Sequence, residues 1–379
     1  MGSARLHGWR WPGAIGVLTL AFLTACSSAD TTASEELPAG AQPSDALSLA
    51  MIVPDDGVDP VIRLIDSAQT SVAIGTYDID PNYDAVVDAL LRAQERGVDV
   101  RVMVSASTFP LTSPQLNGED VAALQAKGIN AQLSNPAFSY YHAKFVLVDA
   151  GTGSAQALVS DFNFAASYFG PDPNNPTEGG TRGMAVLATD QADVAEIASY
   201  YDADWPPFSQ WPVSDRPNLV WSPSASTFSN PGTSATAMKS LINGAQNTLD
   251  IYAQQFPADS ELLEPIKAQA RKGVKVRIVA NKVGFDQAVA DALQPLGVQI
   301  ELDPSAPTND GRSMYVHTKT MVADGDTERA VAYVGSINPF LRESLYTERE
   351  LGVLVTDRPS IRRILDTFNR DFASGTAQP

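Results

Sequence analysis

The chain has 379 residues, 44% of them hydrophobic, with 26 basic against 44 acidic side chains and a formal charge of -18. At roughly 150 residues per domain this length fits two units. The composition excludes a disordered chain and a multi-span membrane channel, and the one cysteine excludes an internal disulfide framework. The acidic balance counts against nucleic acid as a partner, because that affinity rests on cationic neutralisation of phosphates.

Arg5 and Arg10 precede an apolar run from Gly13 through Leu23, closed by Leu23-Thr24-Ala25-Cys26. This is signal-peptide architecture over residues 1–25, too short to span a bilayer comfortably. The Leu-Thr-Ala-Cys context resembles a bacterial lipoprotein signal, which implies that Cys26 is acylated and becomes the new N-terminus; an ordinary secretory signal before an incidental cysteine is the alternative. The implied location is extracytoplasmic, anchored to a bacterial membrane. Removing residues 1–25 takes away two arginines and no acids, which brings the charge to -20. Residues 26–45, rich in Ser, Thr, Ala, Glu and Pro, read as a flexible tether.

The remaining chain is a duplicated unit. Leu64 through Gln69 matches Leu241 through Gln246, Arg96 through Val102 matches Lys272 through Ile278, and His142-Ala143-Lys144 matches His317-Thr318-Lys319. Arg182 through Asp190 then resembles Arg349 through Asp357, with Val-Leu-x-Thr-Asp closing both. The offsets of the first three matches are 177, 176 and 175, a near constancy that chance does not give. Copy boundaries of 46–212 and 213–379 follow.

In chain order the patterns predict a helix near 58–68, a strand at 71–77, a helix near 83–96 stopped by Gly97 and a strand at 99–105. The second copy repeats these near 236–245, 248–253, 260–272 and 275–280. The alternation predicts an α/β fold of two pseudo-symmetric lobes, each a mixed, mostly parallel sheet flanked by helices. Prolines at 206, 207, 212 and 217 disfavour helix and strand across the junction 205–224, whose tryptophans are expected to pack between the lobes.

Of three histidines, His7 lies in the signal region, so the mature chain keeps His142 and His317. Each is followed two residues later by lysine and seven residues later by aspartate, Asp149 or Asp324. In an extended strand His142 and Lys144 share a face, as do His317 and Lys319, whereas the aspartates have the opposite parity and are expected to order a turn.

Two copies of His-x-Lys-x4-Asp resemble the phospholipase D superfamily, and the likeness extends to Gly335-Ser336-Ile337-Asn338 and to Glu350. The resemblance implies a phosphodiesterase or phosphatidyltransferase that acts on phospholipids through a covalent phosphohistidine, with His142 as nucleophile and His317 as acid. It further implies that Lys144, Lys319, Asn163 and Asn338 hold phosphate, with Ser336 beside them, and that Glu350 fixes the tautomer of one histidine, most simply His317 in its own lobe. No metal or other cofactor is required. A duplicated chain supplies both half-sites, so a monomer is expected. An extracellular nuclease of the same superfamily and a non-catalytic surface-binding relative are the alternatives.

The first copy departs from the pattern. It reads Ser160-Asp161-Phe162-Asn163 against Gly-Ser-x-Asn, and Gly183 stands opposite Glu350. His142 therefore lacks a carboxylate in its own copy, unless Glu178 or Asp161 supplies one.

Overall fold

A computed structural model describes residues 36–108, 116–171, 178–307 and 311–378. The signal region and Cys26 lie outside them. Residues 36–378 fall within one compact unit built on two sheets.

The first sheet holds β1 (Leu47–Val53), β2 (Ser71–Thr76), β3 (Asp99–Val104), β4 (Asn130–Leu133), β5 (Lys144–Val148), β6 (Gln156–Ser160) and β7 (Glu178–Ala188). The second holds β8 (Leu219–Ser222), β9 (Thr248–Ala253), β10 (Lys275–Ala280) and β11 (Gln299–Leu302). It continues, after β12 (Ser313–Val316), with β13 (Met321–Ala323), β14 (Val331–Gly335), β15 (Glu350–Val355) and β16 (Thr376–Ala377). The spatial order β1-β7-β6-β5-β2-β3-β4 is repeated as β8-β15-β14-β13-β9-β10-β11, with β16 added at the far edge.

Within each lobe's own strands, parallel pairing is confined to three, β2-β3-β4 and β9-β10-β11. Their crossovers are the predicted helices, observed at Asp84–Glu95 and Leu263–Arg271. Gly97 and Gly273 then take φ of +85° and +93°, which lets the chain reverse into β3 and β10 at little steric cost. The other half of each sheet is antiparallel, because β5-β6 and β13-β14 are joined by short turns that need no crossover.

Both faces of each sheet are covered, so the strands read as nearly continuous apolar runs. Val72, Ile74, Val146 and Val148 join an outer core of the first lobe. Phe145, Leu147, Val159 and Val186 point instead into a core shared with Val322, Val334 and Val353 of the second. The helices Gln191–Asp204 and Arg358–Ser374 contribute Ile197, Tyr201, Ile364 and Phe368 to that shared core. Each such buried side chain contributes about 1.5–3 kcal/mol.

The lobes also exchange backbone. β12 follows β11 in sequence but pairs with β7 of the first sheet, Tyr315 opposite Thr181. Tyr141 bridges Arg349 in return.

Two expectations change. The junction 205–224 contains β8, an edge strand on β15 that begins after Pro217, where no further proline removes a ladder donor until residue 223. Its tryptophans pack as expected, with Trp221 stacked on Tyr200 and Trp211 on Phe138. Residues 36–45, read as part of the tether, lie on the second lobe: Ala41 is buried, and Gln42 and Ser44 donate backbone N–H groups to Asn218 and Thr356. Small residues and a proline suit a groove, and here the groove runs beside the helix Ser234–Gly244, whose Gly244 leaves room for Pro38. Among the described residues no helix is long and apolar enough to cross a membrane.

Candidate active site

The two His-x-Lys segments sit where the chain passes from one lobe to the other. His142 precedes β5 and His317 follows β12, so neither lies within an unbroken strand. The N–H groups of His142 and Ala143 both donate to the Arg349 carbonyl, at 2.8 Å each, and those of His317 and Thr318 donate to the Arg182 carbonyl at 3.0 and 2.9 Å. Each histidine is thus placed by the backbone of the opposite lobe.

The arginines that supply these carbonyls are buried and are held by the opposite lobe too. Arg349 pairs with Asp204 at 2.7 Å and Arg182 with Asp371 at 2.8 Å. Removing either partner would strand a buried charge, so the pairs fix the relation of the halves.

Asp149 and Asp324 turn away from the histidines, as their parity requires. Asp149 accepts N–H bonds from Gln69, Thr70 and Ser71, and Asp324 from Gln246, Asn247 and Thr248. Each fastens the start of the neighbouring strand, β2 or β9. Arg101 and Arg277 are likewise structural, paired with Asp202 and Asp250.

Both histidines line one cavity of about 660 Å3, together with Asn163 and Asn338. Its walls are aromatic, with Tyr77 edge-on to His142 at 5.3 Å and Tyr168 edge-on to His317 at 5.2 Å between ring centroids. Tyr140 and Tyr315 line it as well, whereas Tyr141 is buried packing. Sequence reasoning left Tyr77 and Tyr168 unassigned, because they lie outside both motifs.

Glu350 does not serve the histidine of its own lobe. Both its oxygens lie 2.9 Å from His142 Nδ1, and Ser344 Oγ donates to Oε1 at 2.5 Å. The expectation that it orients His317 is thereby corrected: β15 carries Glu350 beside the Arg349 carbonyl on which His142 rests, so the nearest imidazole belongs to the other lobe. Ser336, expected at the substrate, is fully buried behind the site and bonded to the Leu351 main chain.

Lys144 and Lys319 are both fully buried. Lys144 donates to the His142 carbonyl, and Lys319 Nζ lies 3.0 Å from His317 Nδ1. The amide oxygens of Asn163 and Asn338 are buried without hydrogen-bond partners, although the Asn163 amide nitrogen donates to Tyr168 at 2.9 Å. Unsatisfied polar atoms of this kind mark a place where a ligand completes the network.

The electrostatics of the halves differ. Burial pushes His142 down to about 4, with Glu350 opposing that shift and Lys144 adding to it. Burial also lowers His317 well below its ordinary value, and Lys319 and Lys144 lower it further. Lys319 is pushed down to about 8 by burial, against the pull of Asp161 and Glu350. Burial raises Glu350, but His142 and Lys144 outweigh it and hold the carboxyl below its usual range. Glu348, on the cavity wall beside it, is raised well above the carboxylate range by burial and by Glu350.

Among the described residues one group has donors spaced for a metal ion, His142, Glu348 and Glu350, within 4.8 Å of one another. Glu350 is already engaged by His142 and Ser344, so this set is a poor fit for a cation.

A pocket built from two histidines, two lysines and two amides contributed in equal part by duplicated α/β lobes defines the phospholipase D superfamily. The family model "Cardiolipin synthase, PLD-like domain" matches residues 61–205 and 238–372, and the chain belongs to this family. It is similar to the cardiolipin synthase of Clostridium perfringens, 24% identical over 316 residues, which cover 76% of this chain and 62% of that protein. The cardiolipin synthase of Listeria monocytogenes (strain HCC23) is 28% identical over 133 residues, covering 35% of this chain and 26% of the relative. The chain therefore spans only part of these relatives. The fold resembles that of phosphatidylserine synthase from Haemophilus influenzae, with a TM-score of 0.61, 13% identity, and coverage of 90% of this chain and 89% of that one.

Proposed function

We propose that the protein cleaves or exchanges phosphodiester bonds of phospholipids through a covalent intermediate on His142. The observation that carries this reading is the Glu350–His142 pair facing the cavity that His317 shares. With Nδ1–H donated to Glu350, a neutral His142 presents the lone pair of Nε2 to phosphorus, and the carboxylate stabilises the positive charge that develops on the ring. Lys144, Lys319, Asn163 and Asn338 offset the charge of the non-bridging oxygens in a dry site, where such interactions are strong. An anionic diester raises the proton affinity of His317, which then protonates the leaving headgroup oxygen as the N–P bond forms and the P–O bond breaks. Water or an alcohol reverses the sequence at the same phosphorus.

The names of the relatives support phospholipids as the substrate class. The cavity wall adds a second argument: among the described residues it presents tyrosines with Glu343 and Glu348 and no arginine, which suits a single diester better than a polyanionic strand. Acylation of Cys26 and placement outside the cytoplasm belong to the same proposal, since an anchor of that kind would hold the cavity near lipid.

The test is cleavage by purified protein, with chelator present, of vesicles of phosphatidylcholine or phosphatidylglycerol and of single-stranded DNA. Headgroup release or exchange that is lost in His142→Ala and His317→Ala is expected. Equal rates in the variants, or cleavage of DNA alone, would overturn it.

A further inference from the structure

The two half-sites solve the same problem with differently placed acids. In the second lobe Ser336 follows β14 and Glu350 begins β15; in the first, the repeat puts Asp161 and Gly183 at those positions. Serine and glutamate have become aspartate and glycine. The structure shows that these two changes depend on each other.

A Cβ on Gly183 would lie 2.7 Å from Asp161 Oδ1, 2.8 Å from Phe162 Cδ1 and 2.9 Å from Val53 Cγ2. The space that a side chain at 183 would use is occupied by the Asp161 carboxylate. Asp161 also does what Ser336 does, since its Oδ1 accepts from Met184 N at 2.9 Å where Ser336 Oγ accepts from Leu351 N at 3.1 Å. The second oxygen, Oδ2, is fully buried and has no hydrogen-bond partner. A cap for one main-chain N–H needs no charge, because a serine suffices in the other lobe.

The residue sits against the second half-site. Burial raises Asp161 to about 6, while Lys319 and Thr318 oppose that shift and favour the ionised form. Lys319 Nζ lies 3.5 Å from the Asp161 carbonyl and 3.0 Å from His317 Nδ1, and His317 itself bonds the Asp161 main chain.

We propose that Asp161 is the positioning residue of the His317 half-site, a carboxylate at 161 in place of one at 183, where it offsets the charge of the Lys319 ammonium beside His317 and keeps the imidazole able to take up a proton. This rests on the two-histidine reading for its role in turnover, but not for its effect on the ring. The arrangement is crossed like the other half: an acid of one lobe serves the histidine of the other, yet through a lysine instead of by direct contact.

Three variants test this in the intact chain: Asp161→Ser, Gly183→Glu, and both together. Serine at 161 keeps the Met184 cap and removes the charge, so folding is expected to survive. The ring signals of His142 and His317 in NMR are assigned by comparison with the two alanine variants. Asp161→Ser is expected to lower the titration midpoint of His317, leave that of His142 in place, and reduce kcat about 10- to 100-fold with little change in KM. Gly183→Glu, alone or with Asp161→Ser, is expected to lose stability, because a Cβ at 183 also meets Phe162 and Val53. An unmoved His317 midpoint in Asp161→Ser would overturn the proposal. If the parent chain cleaves no phosphodiester, the reaction assigned above fails, while the His317 midpoint still decides the role of Asp161.

Discussion

Glu350 stands on a strand of the second lobe and His142 on the first, and both carboxylate oxygens lie 2.9 Å from the ring Nδ1. The pair orients the imidazole and makes the site a property of the duplicated chain, since neither lobe holds both members.

Replacing Glu350 by Gln keeps the shape but removes the charge and lets the ring settle in the wrong tautomer. We expect kcat to fall about 10^3- to 10^4-fold with KM little changed, as happens when an orienting acid is neutralised in other histidine sites. Steady-state kinetics on a chromogenic diester, with circular dichroism as the folding control, checks this.

The pH profile follows from the burial of the site's ionisable groups. His142 attacks only when neutral, and its value of about 4 puts the acid limb of kcat/KM there. His317 donates only when protonated, and burial with Lys319 and Lys144 holds it below its ordinary 6.5, so kcat/KM is expected to fall towards alkaline pH before Lys319, at about 8, loses its charge. A buffered rate series checks this. Stability follows His142: its folded value lies below its ordinary 6.5, so the unfolded chain takes up the proton first. Its contribution is complete above 6.5, falls as the pH drops below that, and levels off at about 4; thermal melts across that window check the sign.

The motif aspartates are structural, so their loss separates stability from chemistry. Asp324→Ala would leave the part-buried N–H groups of Gln246, Asn247 and Thr248 without their acceptor. A loss of about 3 kcal/mol and a melting temperature lower by about 5–10 °C are expected. The rate per folded molecule at 20 °C below the melt stays close to the parent value.

The buried arginines give a comparison between near twins. Arg349 has one carboxylate partner, Asp204, while Arg182 has Asp371 and also Asp55 at 2.6 Å. Asp204→Asn strands a buried charge and should cost about 3–5 kcal/mol. Asp371→Asn should cost less, because Asp55 remains; denaturant melts of the two variants give the order.

Much of this was legible in the sequence because the repeat is a pattern in one dimension. The helix at Asp84–Glu95 with Gly97 behind it, the strand Asp99–Val104, and both His-x-Lys segments followed from periodicity and spacing. The parity argument also placed Asp149 and Asp324 off the site. What stayed hidden were relations across the pseudo-twofold. Glu350 is near His317 in sequence but is brought to His142 by β15, and β12 leaves its own sheet to pair with β7. Tyr77 enters the cavity from the loop after β2 and Tyr168 from the short helix Ala166–Phe169 after β6, and neither segment carries a motif. The serine at 336 looked like a ligand because its neighbours are, and only the register of β14 against β15 turns it inward.

The central claim is that His142 carries the covalent intermediate, and trapping it is the most direct measurement. Protein mixed with a short-chain phospholipid, quenched with alkali within the first turnover and digested, is examined for an adduct on the two histidine peptides by mass spectrometry. The phosphatidyl group is expected on the peptide with His142, to be absent in His142→Ala, and to persist in Glu350→Gln at a slower rate of formation. An adduct on the His317 peptide, or one that still forms in His142→Ala, would contradict the account.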